Sequence, residues 1–306
     1  MSLAGLALVS LGAMATQPPH TGATDPPPAA AEAAPIVLAP HVAPPVTSVR
    51  GPGSYELATD PRMRAAIQGA LGADLPHYAI VVRRLSDGHG VAINADREFY
   101  AASTFKLAVL YEIERRRSEG LIHFDDPLQL TDADLAEDLG TIQQVPVGPD
   151  GSLPVSAAVR AMVTISDNAT AVALMHLVGP SNIDETLKAL GLQHTSLNTE
   201  ALPTTAADMA LLMEAIVEGK GMSDEAKADM RGLLLSQDTR TGIPAGLPAN
   251  IPVGNKTGTW EGITHDVAFV DAPGGAYVIA VLSDRGWNWE PIARVSKAVY
   301  ETFANQ

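Results

Sequence analysis

The feature that most constrains the fold of this chain is its division into strand-forming ends and a long helical middle. Five segments read as strands: 77–82, 91–93, 251–257, 266–270 and 276–283. From Ser103 to about Leu235 the sequence is mostly helical in character. Strands at both ends with helices between them predict a two-lobed α/β protein, in which an antiparallel five-stranded sheet is flanked by helices and stands beside an all-helical lobe.

Two further helices are expected against the sheet. Asp60-Pro61 opens the first, whose apolar residues recur at helical spacing until Gly72 ends it. Residues 291–304 form the second and finish the chain. The sheet lobe then comprises about 55–102 and 250–306, and the helical lobe about 103–249. Since ligand sites often lie between lobes, their junction is where we expect a small-molecule cleft.

The first part of the chain differs in composition from the rest. Residues 1–15 contain a short apolar run that ends in Ala13-Met14-Ala15, which suits a signal or leader segment, although no Lys or Arg precedes Arg50. Residues 16–54 are rich in proline and alanine and predict a disordered linker. The folded domain is expected from Tyr55 to Gln306. We expect an exported protein, either periplasmic or extracellular. If the leader stays uncleaved, it would tether the protein.

Composition narrows the classes of partner. The formal net charge of −15 disfavours nucleic acid and anionic membrane surfaces. The chain has no cysteine, which removes disulfides and thiolate metal sites. Its eight histidines are scattered without paired spacing, so no metal site is expected, and no G-x-S-x-G elbow is present. We expect a monomer without a cofactor.

The first of three short motifs is Ser103-Thr104-Phe105-Lys106, at the start of a very apolar helical segment. Positions i and i+3 of a helix share a face, so the Ser103 hydroxyl and the Lys106 amine point the same way. A serine attacks at neutral pH only with a base in reach, and an amine is that base only if burial or another cation lowers its pKa. The alternative is an N-cap serine followed by a lysine that extends to solvent.

The second motif, Ser166-Asp167-Asn168, lies between two apolar helical runs. In a catalytic interpretation, Ser166 relays a proton to a leaving nitrogen and Asn168 holds a substrate carbonyl. Asp167 then has the structural task of fixing the turn. An ordinary helix–helix turn made of cap-forming residues is the alternative.

The third motif, Lys256-Thr257-Gly258, lies in a predicted strand. Lys256 and Thr257 together suit recognition of a carboxylate by charge and hydroxyl. Gly258 weakens the strand, which indicates that something approaches its backbone closely. The backbone N–H of Thr259 would join that of Ser103 in binding an oxyanion. An exposed edge strand with a chance glycine is the alternative.

Together these motifs resemble the signature set of class A β-lactamases and closely related penicillin-binding proteins, over residues 55–306. Residues 203–209 are similar to the segment that opens the helix after the family's omega loop. The resemblance implies the β-lactamase/DD-peptidase fold and a β-lactam or D-Ala-D-Ala peptide substrate. It implies these roles: acylation of Ser103, activation by Lys106, proton relay by Ser166, and substrate binding by Asn168, Lys256 and Thr257.

Two positions depart from the family pattern. Class A enzymes carry a glutamate in the omega loop that positions the deacylating water, but here the loop looks shortened and Glu200 is its single carboxylate. Glu200 is either the deacylation residue or a solvated loop residue. His265 lies near where many class A enzymes carry an arginine that binds the substrate carboxylate. It either substitutes when protonated or has no catalytic duty.

Three functions remain open at this stage. The first is a serine hydrolase that opens β-lactam amides, and it requires a working deacylation route. The second is a D-alanyl-D-alanine peptidase, which shares the acylation step and is favoured by the short omega loop. The third is a penicillin- or peptidoglycan-binding sensor module that stays acylated. The lifetime of the acyl-enzyme separates them.

Overall fold

The computed structural model describes residues 57–305, so the expected leader (1–15), the linker (16–54) and Tyr55 lie outside the described residues. The strands are β1 Ala58–Thr59, β2 Tyr78–Arg84, β3 His89–Ile93, β4 Phe99–Tyr100, β5 Pro127–Gln129, β6 Ser152–Pro154, β7 Pro203–Thr204, β8 Val253–Trp260, β9 Ile263–Ala272 and β10 Gly275–Ser283. The helices are α1 Pro61–Leu71, α2 Lys106–Ser118, α3 Asp132–Ala136, α4 Val155–Thr164, α5 Asn168–Val178, α6 Pro180–Leu190, α7 Ala206–Glu218, α8 Asp224–Leu235 and α9 Glu290–Ala304.

The expected antiparallel sheet is confirmed, with one small addition. Its strand order is β1-β3-β2-β10-β9-β8, and the five strands from β3 to β8 are mutually antiparallel. The addition is β1, which pairs in parallel with β3 through only two residues. Two short ladders, β4 with β7 and β5 with β6, add to the helices of the central region. The two-residue strands are too short to leave a periodic pattern in the sequence.

Both faces of the sheet are covered, because successive residues of its central strands enter different cores. On β9, Ala268 and Val270 join a core with α1 and α9, whereas Val267 and Phe269 join the core shared with the central helices. The central strands therefore read as continuous apolar runs instead of alternating ones. This burial is the reason that the strands could be recognised from composition.

The predicted ends of α1 are confirmed. The Asp60 side chain accepts hydrogen bonds from the N–H groups of Arg62 and Met63, and Pro61 is the first helical residue. Gly72 ends the helix with φ +54°, a left-handed value that glycine adopts without a steric penalty. The helix packs beside α9 on the outer face of the sheet.

Helix α2 runs through the middle of the fold. All of its residues from Lys106 to Arg116 are buried, including two glutamates and two arginines. Such a helix places its first turn deep inside the protein, next to the edge strand β8. Within residues 57–305, none of the helices has the length and apolar character needed to cross a bilayer.

Candidate active site

The three motifs meet at one hydroxyl group. Ser166 Oγ lies 3.2 Å from Lys106 Nζ and 2.9 Å from Lys256 Nζ. Both lysine side chains have no exposed surface. Segments that are far apart in the chain therefore place two buried amines against a single serine, which an ordinary cap, turn and edge strand would not do.

Ser103 lies in a tight, well-anchored turn. Residues 102–105 form one turn of 3-10 helix that leads directly into α2, and such a turn aligns side chains three residues apart. Ala102 has φ +44°, a left-handed value that is unfavourable for alanine and common at functional sites. The Thr104 hydroxyl donates to the carbonyl of Ala101 at 2.6 Å. Ser103 itself is partly exposed.

Gly258 explains how the edge strand comes so close to this turn. A Cβ on Gly258 would lie 3.0 Å from the carbonyl oxygen of Ala101 and 3.1 Å from the backbone nitrogen of Thr104. A larger residue would push β8 away from the turn. The close approach predicted for the glycine is therefore present, and the neighbour is the segment that carries Ser103.

Lys106 is bonded in a way that fits an uncharged amine. Its Nζ donates to the Ser166 carbonyl and to Asn168 Oδ1, both at 2.6 Å. These two oxygens can use both N–H donors of a neutral amine, and the third partner is the Ser166 hydroxyl at 3.2 Å, which can either accept from Nζ or donate to its lone pair. Burial, and secondly the nearby Lys256, lowers the pKa of Lys106 well below its usual value, although Asp167 opposes this.

The Ser166-Asp167-Asn168 loop joins α4 to α5 and is tightly held. Ser166 has φ +59°, a left-handed value that is uncommon for residues other than glycine and is found at functional sites. Asp167 is fully buried and caps α5 by accepting hydrogen bonds from the N–H and the hydroxyl of Thr170, both at 2.7 Å. Its other oxygen accepts from the Thr141 hydroxyl at 2.7 Å. Asp167 thus fixes the turn, and its partner Thr141 is one that no sequence motif indicates.

Lys256 and Thr257 lie on β8 beside this loop. Lys256 Nζ also donates to the Thr257 carbonyl at 3.0 Å, and burial lowers the pKa of Lys256 to about 7. Thr257 is paired with Asp266 of the neighbouring strand, and Thr259, which is partly exposed, with Thr264. Along the edge strand these residues follow one another, with the Lys256 side chain on one face and those of Thr257 and Thr259 on the other.

A buried polar pair, Asn255 on β8 and Asp266 on β9, joins these two strands and was not predicted from the sequence. Asn255 Nδ2 donates to Asp266 Oδ1 at 2.9 Å, and Asp266 Oδ2 accepts from the Ile243 N–H at 2.7 Å. Burial raises the pKa of Asp266 to about 6, and Arg240 bonds Asn255 Oδ1 at 3.1 Å. Asp266 reaches Asn255 and Thr257 only after the β8–β9 register is set, so no local motif marks the pair.

His265 does not reach the substrate side of the site, which favours the second alternative for it, a residue without a catalytic duty. Its ring is fully buried, and Nε2 bonds the Tyr100 carbonyl at 3.0 Å while Nδ1 accepts from the Ser283 N–H at 3.1 Å. These two partners fix a neutral ring, and burial lowers its pKa to about 4. His265 holds the backbone three residues before Ser103 and has no nitrogen left for a ligand.

Glu200 lies on the surface of the short loop that precedes β7. Its side chain is exposed, and within the described residues we find no hydrogen bond or ion pair that holds it. The loop itself is fixed at other points: Asp208 accepts from the His194 N–H at 2.8 Å, and Asp184 accepts from the Leu197 N–H at 2.7 Å. The Leu202 carbonyl accepts from the Ala101 N–H at 2.8 Å, which connects the loop to the turn that contains Ser103. The loop is therefore held in place by hydrogen bonds, whereas the Glu200 side chain is not.

No metal-binding group was found at this site or elsewhere in residues 57–305. No set of three or more histidine, aspartate or glutamate side chains in that part of the chain is arranged to hold an ion.

Comparison with known proteins gives a consistent result. β-Lactamase AST-1 of Nocardia asteroides is 32% identical over 243 residues, which cover 74% of this chain and 76% of that protein. PBP-A, solved as a mutant in acyl-enzyme complex with penicillin G, matches with a TM-score of 0.74 and 26% identity over 81% of this chain and 98% of its own. A mutant of a class A β-lactamase from the last common ancestor of Gram-negative bacteria gives a TM-score of 0.71 and 25% identity over 80% and 99%.

The sequence model described as the β-lactamase enzyme family matches residues 62–303. That span runs from α1 to α9 and includes every residue of the site. With its fold and the convergence of the three motifs already established, the chain belongs to the β-lactamase enzyme family.

Proposed function

We propose that this protein is an active-site serine hydrolase that opens β-lactam amides through an acyl-enzyme on Ser103. The observation that carries the proposal is the position of Ser166 Oγ, within 3.2 Å of Lys106 Nζ and 2.9 Å of Lys256 Nζ. A buried amine of lowered pKa beside the helix turn of a serine can activate it as a nucleophile. The named activity of the relatives supports the choice of substrate.

The acylation step follows from these groups. The lone pair of neutral Lys106 takes the proton of Ser103, whose Oγ attacks the lactam carbonyl carbon. The N–H groups of Ser103 and Thr259 stabilise the oxyanion. As the carbon–nitrogen bond breaks, the nitrogen takes the proton of the Ser166 hydroxyl, which regains one from Lys106. The net change is transfer of one proton from Ser103 to the leaving nitrogen.

Substrate is held on either side of the reacting carbonyl. Lys256 and the hydroxyl of Thr257 bind the carboxylate of the β-lactam by charge and hydrogen bond. Asn168 supplies a side-chain amide to the carbonyl of the acyl side chain. Water then cleaves the Ser103 ester, which releases the ring-opened acid and restores the hydroxyl.

A D-alanyl-D-alanine peptidase is the second candidate, and a specific observation favours it. Deacylation by water needs a positioned base, and Glu200 is exposed and unanchored. An acyl-enzyme that water hydrolyses slowly fits a peptidase, or a sensor module that stays acylated, better than a lactamase with rapid turnover. The acylation step is common to all three.

The test is intact-mass measurement after mixing with benzylpenicillin, with Ser103→Ala as control. Wild type is expected to gain the full mass of the penicillin and the variant to gain none. A label that disappears within minutes while product accumulates indicates a lactamase. A persistent label, together with D-alanine released from a D-Ala-D-Ala peptide, indicates the peptidase. Labelling of Ser103→Ala would show that the nucleophile is wrong.

We also infer export and a monomeric state. The inference of export rests on sequence: the apolar run with a small-x-small ending in residues 1–15, and the proline-rich segment 16–54 before the folded domain. Mass analysis of the mature protein and its elution volume in size-exclusion chromatography test the two inferences separately.

A further inference from the structure

The edge strand β8 ends in a half-exposed tryptophan at the mouth of the site. Trp260 follows Thr259 directly, is 50% exposed, and its ring packs against that of Tyr100 with 6.3 Å between centroids. We propose that Trp260 and Tyr100 form an aromatic wall that binds a flat apolar group, best an aromatic ring, on the acyl side chain of the substrate. This inference rests on the proposed function and specifies the substrate class.

Trp260 lies on the same face of β8 as Lys256 and Gly258. Side chains of a strand alternate, so residues 256, 258 and 260 point to one side. Lys256 reaches Ser166 on that side, and Gly258 faces the backbone of Ala101 and Thr104. The Trp260 ring meets Tyr100, which is three residues before Ser103. The indole therefore borders the cleft that contains the nucleophile.

The direction of the substrate along β8 brings its side chain to this wall. The carboxylate is assigned to Lys256 and Thr257, and the reacting carbonyl to the N–H of Thr259. A strand rises about 3.3 Å per residue, so Trp260 lies about 10 Å beyond Thr257. The part of the substrate on the other side of the carbonyl from the carboxylate is the acyl side chain. It extends towards Trp260.

The wall is held in place before substrate arrives. Tyr100 pairs with Pro203 in the β4–β7 ladder, and its carbonyl accepts the bond from His265 Nε2 at 3.0 Å. Burial raises the pKa of the Tyr100 phenol, and Glu137 adds to the effect, so the phenol stays uncharged at neutral pH. Because Tyr100 supports one side of the indole, little side-chain freedom is lost when a ring stacks on the exposed part.

The experiment compares two penicillins that share the bicyclic nucleus and the side-chain amide. Benzylpenicillin carries a phenyl ring, whereas 6-acetamidopenicillanic acid carries only a methyl group. The rate constant for acylation of Ser103 is measured by intact mass for each compound, and their ratio is the readout. Trp260→Phe keeps a ring, Trp260→Ala removes it, and Trp287→Ala removes a tryptophan that is 71% exposed on the connection between β10 and α9.

We expect wild type to prefer benzylpenicillin, and Trp260→Ala to reduce the ratio by about threefold to tenfold, the range that aromatic contacts supply. Trp260→Phe should keep most of the preference, and Trp287→Ala all of it. Normal labelling with an unchanged ratio in Trp260→Ala would overturn the inference and leave the proposed function intact. An equal loss with both compounds would also overturn it, because it would show a disturbed strand. No labelling of wild type by either compound would remove the proposed function and the inference together.

Discussion

The two ends of helix α2 bury cations in opposite ways. At the first turn, Lys106 Nζ contacts the Ser166 carbonyl and the Asn168 side-chain oxygen, which are uncharged acceptors. Near the last turn, Arg115 binds both oxygens of Glu112 at 2.8 and 2.9 Å, and Arg116 binds one of them at 2.6 Å. Both environments are almost fully buried.

The difference shows what makes a buried cation structural or reactive. Burial alone disfavours a charge, and this effect lowers the pKa of Lys106. Burial also opposes the charge of Arg115, but the bonds to Glu112 outweigh it and raise the pKa of the guanidinium. A buried cation with a carboxylate partner keeps its proton and fixes the helix. A buried amine that lacks a bonded carboxylate can lose its proton and then act as a base.

Replacement of Lys106 by arginine should produce the largest effect. A guanidinium stays charged in proteins, so it cannot take the Ser103 proton. We expect acylation by benzylpenicillin to slow by about a hundredfold to ten-thousandfold, the usual contribution of a general base. Lys106→Met is the second variant, because methionine keeps the length of the side chain without a charge and should fold at least as well. Intact mass gives the labelling rate of each variant.

Fast acylation in Lys106→Arg would contradict this comparison of the two ends of α2, because a permanently charged side chain would then serve as well as a neutral amine. Slow labelling of both variants, with an unfolding transition in urea like that of wild type, would support it. Loss of folding in the arginine variant alone leaves the methionine variant to decide.

Glu112→Gln should have the next largest effect, on stability instead of chemistry. The substitution keeps the shape of the side chain but leaves Arg116 buried without its carboxylate partner, and it leaves Arg115 with Glu119 alone. Breaking a buried pair in this way costs about 3–5 kcal/mol of unfolding free energy. Urea denaturation measures the loss, and the rate of Ser103 labelling per folded molecule should remain that of wild type.

Glu301→Gln is the matched control. Its carboxylate lies 3.8 Å from Lys297 Nζ, and both side chains are more than half exposed. Exposed pairs contribute little, so we expect a change of no more than about 0.5 kcal/mol. If the two variants lost equal stability, burial would not be what separates a structural ion pair from a superficial one.

Sequence predicted the parts of this molecule that depend on neighbours in the chain. The ends of α1 were predicted from Asp60-Pro61 and Gly72, and the sheet from its apolar runs. The spacing of Glu112 to Arg115 and Arg116 also matches helical ion pairs at i+3 and i+4. Sequence could not show that these pairs are buried, because burial depends on what packs against the helix.

The site shows the same division. The motifs identified the groups that meet at Ser166, because each motif is a local pattern. His265 and the Asn255–Asp266 pair depend on strand register, which brings together residues that no motif connects. A histidine near the end of a strand looks available from sequence. In the fold, both of its nitrogens bond backbone groups.

Glu200→Gln should have the smallest effect and extends the comparison to a carboxylate. Lys106 owes its unusual acidity to burial, whereas Glu200 is exposed and unanchored, so it has no surroundings that would make it a water-activating base. We expect the lifetime of the acyl-enzyme, followed by intact mass after removal of free benzylpenicillin, to stay within about twofold of wild type, the range of ordinary surface changes. Glu301→Gln serves again as an exposed carboxylate far from the chemistry. A label that persists much longer in Glu200→Gln than in Glu301→Gln would place this carboxylate in deacylation, and burial would then not be required for reactivity in this protein.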